Sequence, residues 1–224
     1  GWELCAGEPD AEAFAHREVY IGLDLSARDD LTAAILVAQL DGLTHVRCAF
    51  FAPTVGLKDR AMRDRAPYDV WVEQGHLIAT PGSSVDYGWV AAKLCEWSDD
   101  YDLGSIAFDR WRIDVLKAEL SRTGRELPMV PFGQGFKDMS PALDSLEAEL
   151  LNGRIRHGGN PILRWCAANA TIVRDPAGNR KLDKSSGTGR IDGIVALAMA
   201  IGCMQSHLGS KSLAIEQGFI SLEA

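Results

Sequence analysis

Three runs of alternating or continuous apolar residues predict β-strands early in the chain. They span residues 19–25, 31–40 and 45–52, and the turn signals SARDD and DG separate them. The second signal is the short Asp-Gly connection that favours a tight hairpin between antiparallel strands. The pattern therefore predicts an antiparallel meander of three strands.

Helical spacing of apolar residues takes over after the meander. It is visible in LKDRAMRDRAPYDVWVEQGHL and in SSVDYGWVAAKLCEWSDDY. Strands and helices then alternate as LGSIAF, RIDVLKAELSRTG, LPMVPF and SPALDSLEAELLNG. In the last of these helices Ser140 is the predicted N-cap, Pro141 the first helical residue and Gly153 the residue just past the end.

The last third of the chain predicts a hairpin and a closing helix. NATIVRDPAGNRKLDKSS contains two extended runs around a Pro- and Gly-containing turn, and TGRIDGIVALAMAIGCMQSHL is a long apolar helix. The whole order predicts an α/β fold with a mixed five-stranded sheet of the RNase H-like type, flanked by helices and carrying an added β-hairpin. Flavodoxin-like and Rossmann folds stay open on pattern alone, but the antiparallel start disfavours both.

Three segments are predicted along the chain. Residues 1–17 carry an acidic, Ala-rich helical pattern and a proline, which is typical of a lead-in or linker remnant rather than of a core. Residues 18–208 form one domain, and residues 209–224 form a C-terminal tail. The apolar stretch IDGIVALAMAIGCM is too short to cross a bilayer, so we expect no membrane partner.

Charge restricts the classes of partner. The chain has 31 acidic and 23 basic residues and a net charge of −8, which argues against a general nucleic-acid coat with a basic surface. Any DNA contact must be local or metal-assisted. The odd number of scattered cysteines, with no CxxC pair, suggests neither a disulfide framework nor a zinc site, and a reducing cytoplasm fits.

Three aspartates stand where a carboxylate needs an explanation. Asp24 shares one face of the first predicted strand with Gly22, Asp109 ends the strand SIAF, and Asp192 lies in the first turn of an apolar helix, on the face expected to pack on the sheet. Each has an ordinary explanation as well: an Asx turn, an N-cap and a helix-dipole charge. All three could also converge on one point.

Converging carboxylates without His or Cys suit hard cations such as Mg²⁺ or Mn²⁺. Two such ions roughly 3.5 to 4 Å apart activate water and stabilise the leaving oxygen in phosphodiester hydrolysis. The substrate's charge would also meet local cations, and the densest run contains Arg174, Arg180, Lys181, Lys184 and Arg190. A solvated hairpin explains that run equally well.

Several segments resemble the C-terminal nuclease domain of tailed-bacteriophage terminase large subunits, part of the DNA-packaging motor. They are YIGLDLSARDDLTAAI, DRAPYDVWVEQGHLIATPG, FDRW, NPILRW and VRDPAGNRKLDKSSGTGRIDGIVALAMAIG, and the resemblance runs from about residue 17 to 205. It implies an RNase H-like, metal-dependent endonuclease that cuts concatemeric double-stranded viral DNA during packaging, in the cytoplasm of the infected bacterium. By position, the family's acidic triad and its two divalent cations, Mg²⁺ or Mn²⁺, fall on Asp24, Asp109 and Asp192.

The same resemblance implies further residues and partners. A fourth metal ligand would be Asp30, with Asp29 as the neighbouring possibility, although both also fit an ordinary charged turn. Independently of the resemblance, the local run of basic residues predicts that Lys181, Lys184 and Arg190 contact DNA. The chain contains no G-x-x-x-x-G-K-[ST] loop, so residues 1–17 would follow an N-terminal ATPase domain, and the small terminase subunit and the capsid portal would be further partners.

Other classes of protein share parts of this pattern. A junction resolvase or transposase core would share the acids, but the PYDVW and RIDGIVAL segments decide against both. An actin-like or sugar-kinase ATPase would need a duplicated domain and Gly-rich phosphate loops. A non-catalytic DNA-binding module, in which the aspartates are structural, stays open.

Overall fold

The structure is a computed structural model that describes residues 1–26, 31–110, 113–184 and 189–216, with side chains up to residue 212. A 3₁₀ turn, Trp2–Cys5, and helix α1 (Ala11–Ala15) come first. The following elements, in chain order, are β1 (Val19–Asp24), β2 (Thr32–Leu40), β3 (Leu43–Pro53), α2 (Leu57–Asp64), α3 (Tyr68–Glu73), β4 (Ile78–Thr80), α4 (Tyr87–Asp100), β5 (Leu103–Phe108), α5 (Ile113–Arg122), β6 (Met129–Pro131), α6 (Phe136–Leu151), β7 (Ile155–Arg156), α7 (Pro161–Asn169), β8 (Ala170–Arg174), β9 (Arg180–Lys184) and α8 (Asp192–Glu216).

The central sheet is mixed. Its strand order is β4-β3-β2-β1-β5-β6, and β7 also pairs with β3. Strands β1, β2 and β3 form the predicted antiparallel meander, whereas β5 runs parallel to β1 and β6 parallel to β5. The five predicted strands are therefore confirmed, and the short strands β4 and β7 add to the outer edge of β3.

Helices cover both faces of the sheet because side chains alternate along β1. Ile21 and Leu23 are fully buried on the face that carries α4 and α5, whereas Tyr20 belongs to the core on the α8 face. Gly22 also faces α8, and a Cβ at this position would lie 1.8 Å from the carbonyl oxygen of Ala196. Only glycine therefore lets α8 approach β1 this closely.

Helix α8 is the central element of its layer. By length and composition alone, Asp192–Ser212 could cross a membrane, but 61% of its most apolar window is buried inside the protein. Packing on the sheet therefore explains why the helix is apolar. The helix continues to Glu216, so residues 209–216 of the predicted C-terminal tail are helical.

The N-terminal segment contributes to the core. Cys5, Ala13 and Phe14 are fully buried, and the backbone N–H of His157 donates to the carbonyl of Cys5 over 3.0 Å. The expectation that residues 1–17 lie outside the core is wrong, because Cys5 belongs to the core on the α8 face and Ala13 and Phe14 to the core on the α4 and α5 face. Their role as a linker stays a prediction.

Helix α6 begins one turn earlier than its sequence signals indicate. It starts at Phe136, so Pro141 lies inside the helix and Ser140 is not its N-cap. The extra turn buries Met139, which is 1% exposed, and this burial outweighs the hydrogen bond that Pro141 cannot donate. The Ser140 hydroxyl instead accepts the backbone N–H of Arg180 over 3.1 Å.

The predicted hairpin is confirmed as a separate two-stranded sheet, β8 and β9. The Arg180 side chain is 9% exposed and forms ion pairs with Asp144 and, over 2.7 Å, with Glu147. Both acids lie on α6, so the hairpin is fixed to that helix at the first residue of β9.

Candidate active site

Two of the three predicted acids meet at the carboxyl edge of the sheet. Strands β1 and β5 are parallel neighbours, and Leu23 pairs with Phe108. Asp24 is the last residue of β1, and Asp109 directly follows β5. Because the two aspartates come one residue after a paired position, the backbone places them side by side.

The third acid comes from α8. The close approach of Gly22 to Ala196 fixes how this helix sits on β1. Asp192 lies one helical turn before Ala196, about 6 Å along the axis, and Asp24 lies two residues beyond Gly22, about 6.6 Å along the strand. Both displacements run toward the same edge, so Asp192 lies over Asp24.

The pKa of Asp24 reflects its burial and the negative charges that surround it. The residue is half-buried, but its carboxyl group lies deep among protein atoms. Burial raises the pKa of this carboxyl well above its ordinary value, and the negative charges of Asp192 and Asp109 raise it further. A cation at this edge would relieve the repulsion.

Gln134 is a site residue that sequence reasoning missed. Its side-chain amide donates to Asp24 Oδ1 over 2.9 Å, and this bond opposes the rise in the Asp24 pKa. Gln134 lies three residues beyond β6, which is parallel to β5. Sequence reasoning could have found Gln134 from its position just after a strand, because residues that follow the carboxyl ends of parallel strands lie at the same edge of the sheet.

The donor chemistry of the three aspartates fits a hard divalent cation, since every candidate ligand is a carboxylate oxygen. Their placement fits it less closely: among the described residues, no three Asp, Glu, His or Cys side chains lie close enough together to enclose an ion. Asp24, Asp109 and Asp192 are all half-buried. Asp29 and Asp30 lie outside the described residues, and so do residues 111–112, which bear on the alternative N-cap role of Asp109.

Two of the three predicted DNA contacts lie on the hairpin. Lys184, the last residue of β9, is exposed, and its charge is close enough to Asp24 to lower the pKa of that carboxyl. Lys181 is half-buried, with its ammonium 5.1 Å from the centre of the Phe136 ring. The hairpin therefore brings positive charge close to the acidic edge, which is the carboxyl edge of the sheet where Asp24, Asp109 and Asp192 lie.

Arg190 lies elsewhere. It is 8% exposed, and its guanidinium donates to Asp64 on α2 over 3.1 Å and 3.3 Å. A buried guanidinium bound to a carboxylate is poorly placed to meet a phosphate, so this geometry does not favour the DNA contact predicted for Arg190.

Comparison with known families gives a match over nearly the whole chain. The family described as "Terminase large subunit, endonuclease domain" matches residues 2–207. The large terminase subunit of Enterobacteria phage HK97 is 54% identical over 208 residues, which cover 92% of this chain and 41% of that protein.

Solved structures agree with this match. The crystal structure of the HK97 large terminase has a TM-score of 0.84 at 54% identity and is matched over 90% of this chain and 42% of its own. The large terminase nuclease of thermophilic phage G20c with bound magnesium has a TM-score of 0.56 at 14% identity, over 89% of this chain and 93% of its own, and shows likeness of fold alone. These structures confirm the predicted RNase H-like fold. The chain spans about two fifths of the length of the HK97 relative.

Proposed function

Because the chain belongs to the family of terminase large-subunit endonuclease domains, we propose that it is a metal-dependent endonuclease that hydrolyses phosphodiester bonds of double-stranded DNA. The observation that carries the proposal is the meeting of Asp24, Asp109 and Asp192 at one edge of the sheet, where burial and mutual repulsion raise the pKa of Asp24. Such a strained acidic cluster is typical of cation sites.

The three aspartates would hold two divalent cations, Mg²⁺ or Mn²⁺, with Asp30 as a predicted fourth ligand. When bound, these ions supply a Lewis acid and an activated water for phosphodiester hydrolysis. Gln134 keeps one oxygen of Asp24 in place through its hydrogen bond. The bound magnesium of the G20c nuclease supports the choice of metal.

The hairpin supplies the chain's own contact with the DNA backbone. Lys184 is exposed beside the acidic edge, and Lys181 lies on the same strand. These cations would hold phosphates near the metals and offset the net charge of −8. Arg190 is buried and bound to Asp64, so in this proposal it does not contact the DNA backbone.

In the larger protein, the substrate is concatemeric viral DNA, cut at the start and end of genome packaging. The partners are an N-terminal ATPase domain joined through residues 1–17, the small terminase subunit and the capsid portal, in the cytoplasm of the infected bacterium. Membership of the terminase family supports these assignments.

A second candidate is a non-catalytic DNA-binding domain with structural aspartates. Two observations favour it: Asp24 already accepts a hydrogen bond from Gln134, and no three potential ligands enclose an ion among the described residues. The two candidates differ in whether DNA is cut.

Supercoiled plasmid separates the candidates. We expect the domain to nick and linearise the plasmid with Mn²⁺ or Mg²⁺, with little sequence preference, because no segment has an obvious base-reading composition. Excess EDTA should stop the reaction, and excess Mn²⁺ should restart it. Cleavage that continues in EDTA would refute the metal mechanism, and DNA binding without cleavage at any metal concentration would support the second candidate.

A further inference from the structure

Asp64 carries a buried carboxylate at the carboxyl end of α2. Its side chain has no exposed surface, and it accepts hydrogen bonds from three residues. The phenol of Tyr68 donates over 2.8 Å, Arg63 Nε over 2.8 Å and Arg190 Nε over 3.1 Å. Burial raises the pKa of this carboxyl, but these donors outweigh burial and hold it below its ordinary value.

The left-handed conformation of Arg65, with φ of 52°, ends α2 and turns the chain so that Tyr68 returns to Asp64. Tyr68 is 2% exposed, and its ring packs against Trp71 and Trp165 at centroid distances of 5.5 Å and 5.9 Å. Asp64 therefore sits in a rigid corner between α2 and α3.

Arg190 connects this corner to the acidic edge, because it lies two residues before Asp192, the first residue of α8. Its side chain is held by Asp64, and its carbonyl accepts a hydrogen bond from the Asn169 side chain over 3.3 Å. The segment that leads into α8 is thus held by side chain and backbone. Asp192 is also close enough to Tyr68 for its charge to help raise the pKa of that phenol, behind burial and Asp64.

We infer that Asp64, supported by Tyr68, is a positioning residue: through Arg190 it fixes the start of α8 and thereby the placement of Asp192 at the acidic edge. This inference rests on the proposed function. The inference also assigns a role to the PYDVW segment, because Tyr68 is the tyrosine of that segment. Removing a residue that hydrogen-bonds a metal ligand costs about tenfold to a hundredfold in metal affinity, and because Asp64 acts one step further away, through Arg190, we expect its effect at the lower end of that range.

A purely structural role for Asp64 needs a matched control. Glu149 offers one: it is 5% exposed and binds an arginine and a hydroxyl group, Arg154 over 2.7 Å and Thr44 over 3.1 Å. Arg154 lies immediately before β7, which pairs with the first residues of β3, and β2 lies between β3 and β1, the strand that ends in Asp24. Replacing Glu149 therefore disturbs a buried carboxylate, bound to a partly exposed arginine, away from Asp192.

The experiment compares Asp64→Asn with Glu149→Gln. Mn²⁺ affinity is measured by calorimetry without DNA, and plasmid cleavage is measured across a Mn²⁺ titration. For Asp64→Asn we expect Mn²⁺ affinity to fall about tenfold or more and cleavage to recover at high Mn²⁺. Glu149→Gln should keep the parent's Mn²⁺ affinity and midpoint even if it unfolds at a lower temperature.

Tyr68→Phe and Arg190→Lys serve as milder variants if Asp64→Asn does not fold. Tyr68→Phe removes one donor and should shift the Mn²⁺ midpoint a few-fold, and Arg190→Lys should shift it in the same direction. If the variants at Asp64, Tyr68 and Arg190 bind Mn²⁺ as Glu149→Gln does, the inference is overturned while the proposed function stands. A parent protein that neither binds Mn²⁺ nor cuts DNA would overturn both.

Discussion

Asp64 and Asp24 are both carboxylates set among protein atoms, and their neighbours carry opposite charges. Asp64 is surrounded by two arginines and a phenol, and its pKa lies below the ordinary value. Burial, Asp192 and Asp109 instead push the pKa of Asp24 above it. A matched carboxylate stabilises the fold, whereas a crowded one costs stability when ionised. We therefore assign Asp24, which lies among like charges, to binding the metal, and Asp64, which is paired with arginines, to positioning the site.

The largest expected effect is on cleavage. Asp24→Asn, Asp109→Asn and Asp192→Asn should each reduce plasmid cleavage to background, because each amide removes a charge that the cations require. Asp114→Asn, an exposed change on α5, is the control and should cut like the parent. Should one of the three variants cut at near the parent's rate with an unchanged circular dichroism spectrum, that aspartate is a capping residue and not a ligand.

A second prediction concerns stability without metal, where the two groups should respond with opposite signs. Asp64→Asn should lower the free energy of unfolding by about 3 kcal/mol, because Arg190 loses a buried partner. Asp24→Asn should leave it unchanged or raise it, because repulsion with Asp192 and Asp109 is relieved. Urea unfolding in EDTA measures both.

The dependence on pH follows the same signs. The folded protein holds the Asp24 proton to higher pH than the unfolded chain does, so this group's stabilising contribution is lost as pH rises from about 4 through its raised pKa. The Asp64 contribution is present above its ordinary pKa and is lost as pH falls through its lowered one. Asp24→Asn should remove the loss of stability that occurs as pH rises, and Asp64→Asn should remove the loss of stability that occurs as pH falls. Equal dependence of the free energy of unfolding on pH in the two variants would contradict the comparison.

The smallest expected effect concerns the cationic rim. Changing both Lys181 and Lys184 to Ala should weaken DNA binding in EDTA about tenfold and flatten the log-log salt dependence by about 1.8, the value for two lost phosphate contacts. Mn²⁺ affinity should remain near that of the parent. Arg122 and Arg125, whose exposed ion pairs lie on and just beyond the far end of α5, form the matched double-Ala control. Loss of DNA binding in the control alone would place the duplex on the opposite face.

Local patterns predicted the parts of the fold that depend on neighbours in sequence. The alternation in VYIGLD, the Asp-Gly turn and the apolar run of α8 lead directly to the observed meander and closing helix. The start of α6 that Ser140 and Pro141 predicted is wrong because a capping pattern is local, whereas the observed start depends on the burial of Met139 by other elements. Gln134 carried no signal until β6 was placed beside β5.

For the candidate site, the sequence by itself determined which acids stand in unusual positions. Period-two alternation put Asp24 beside Gly22, and the first turn of an apolar helix marked Asp192. Only the tertiary structure decided that Arg190 faces Asp64 inside the protein and that Gln134 reaches Asp24. The reason is physical: a strand or helix period follows from the backbone of one segment, whereas the partner of a charged side chain depends on which distant segments the core brings within hydrogen-bonding distance.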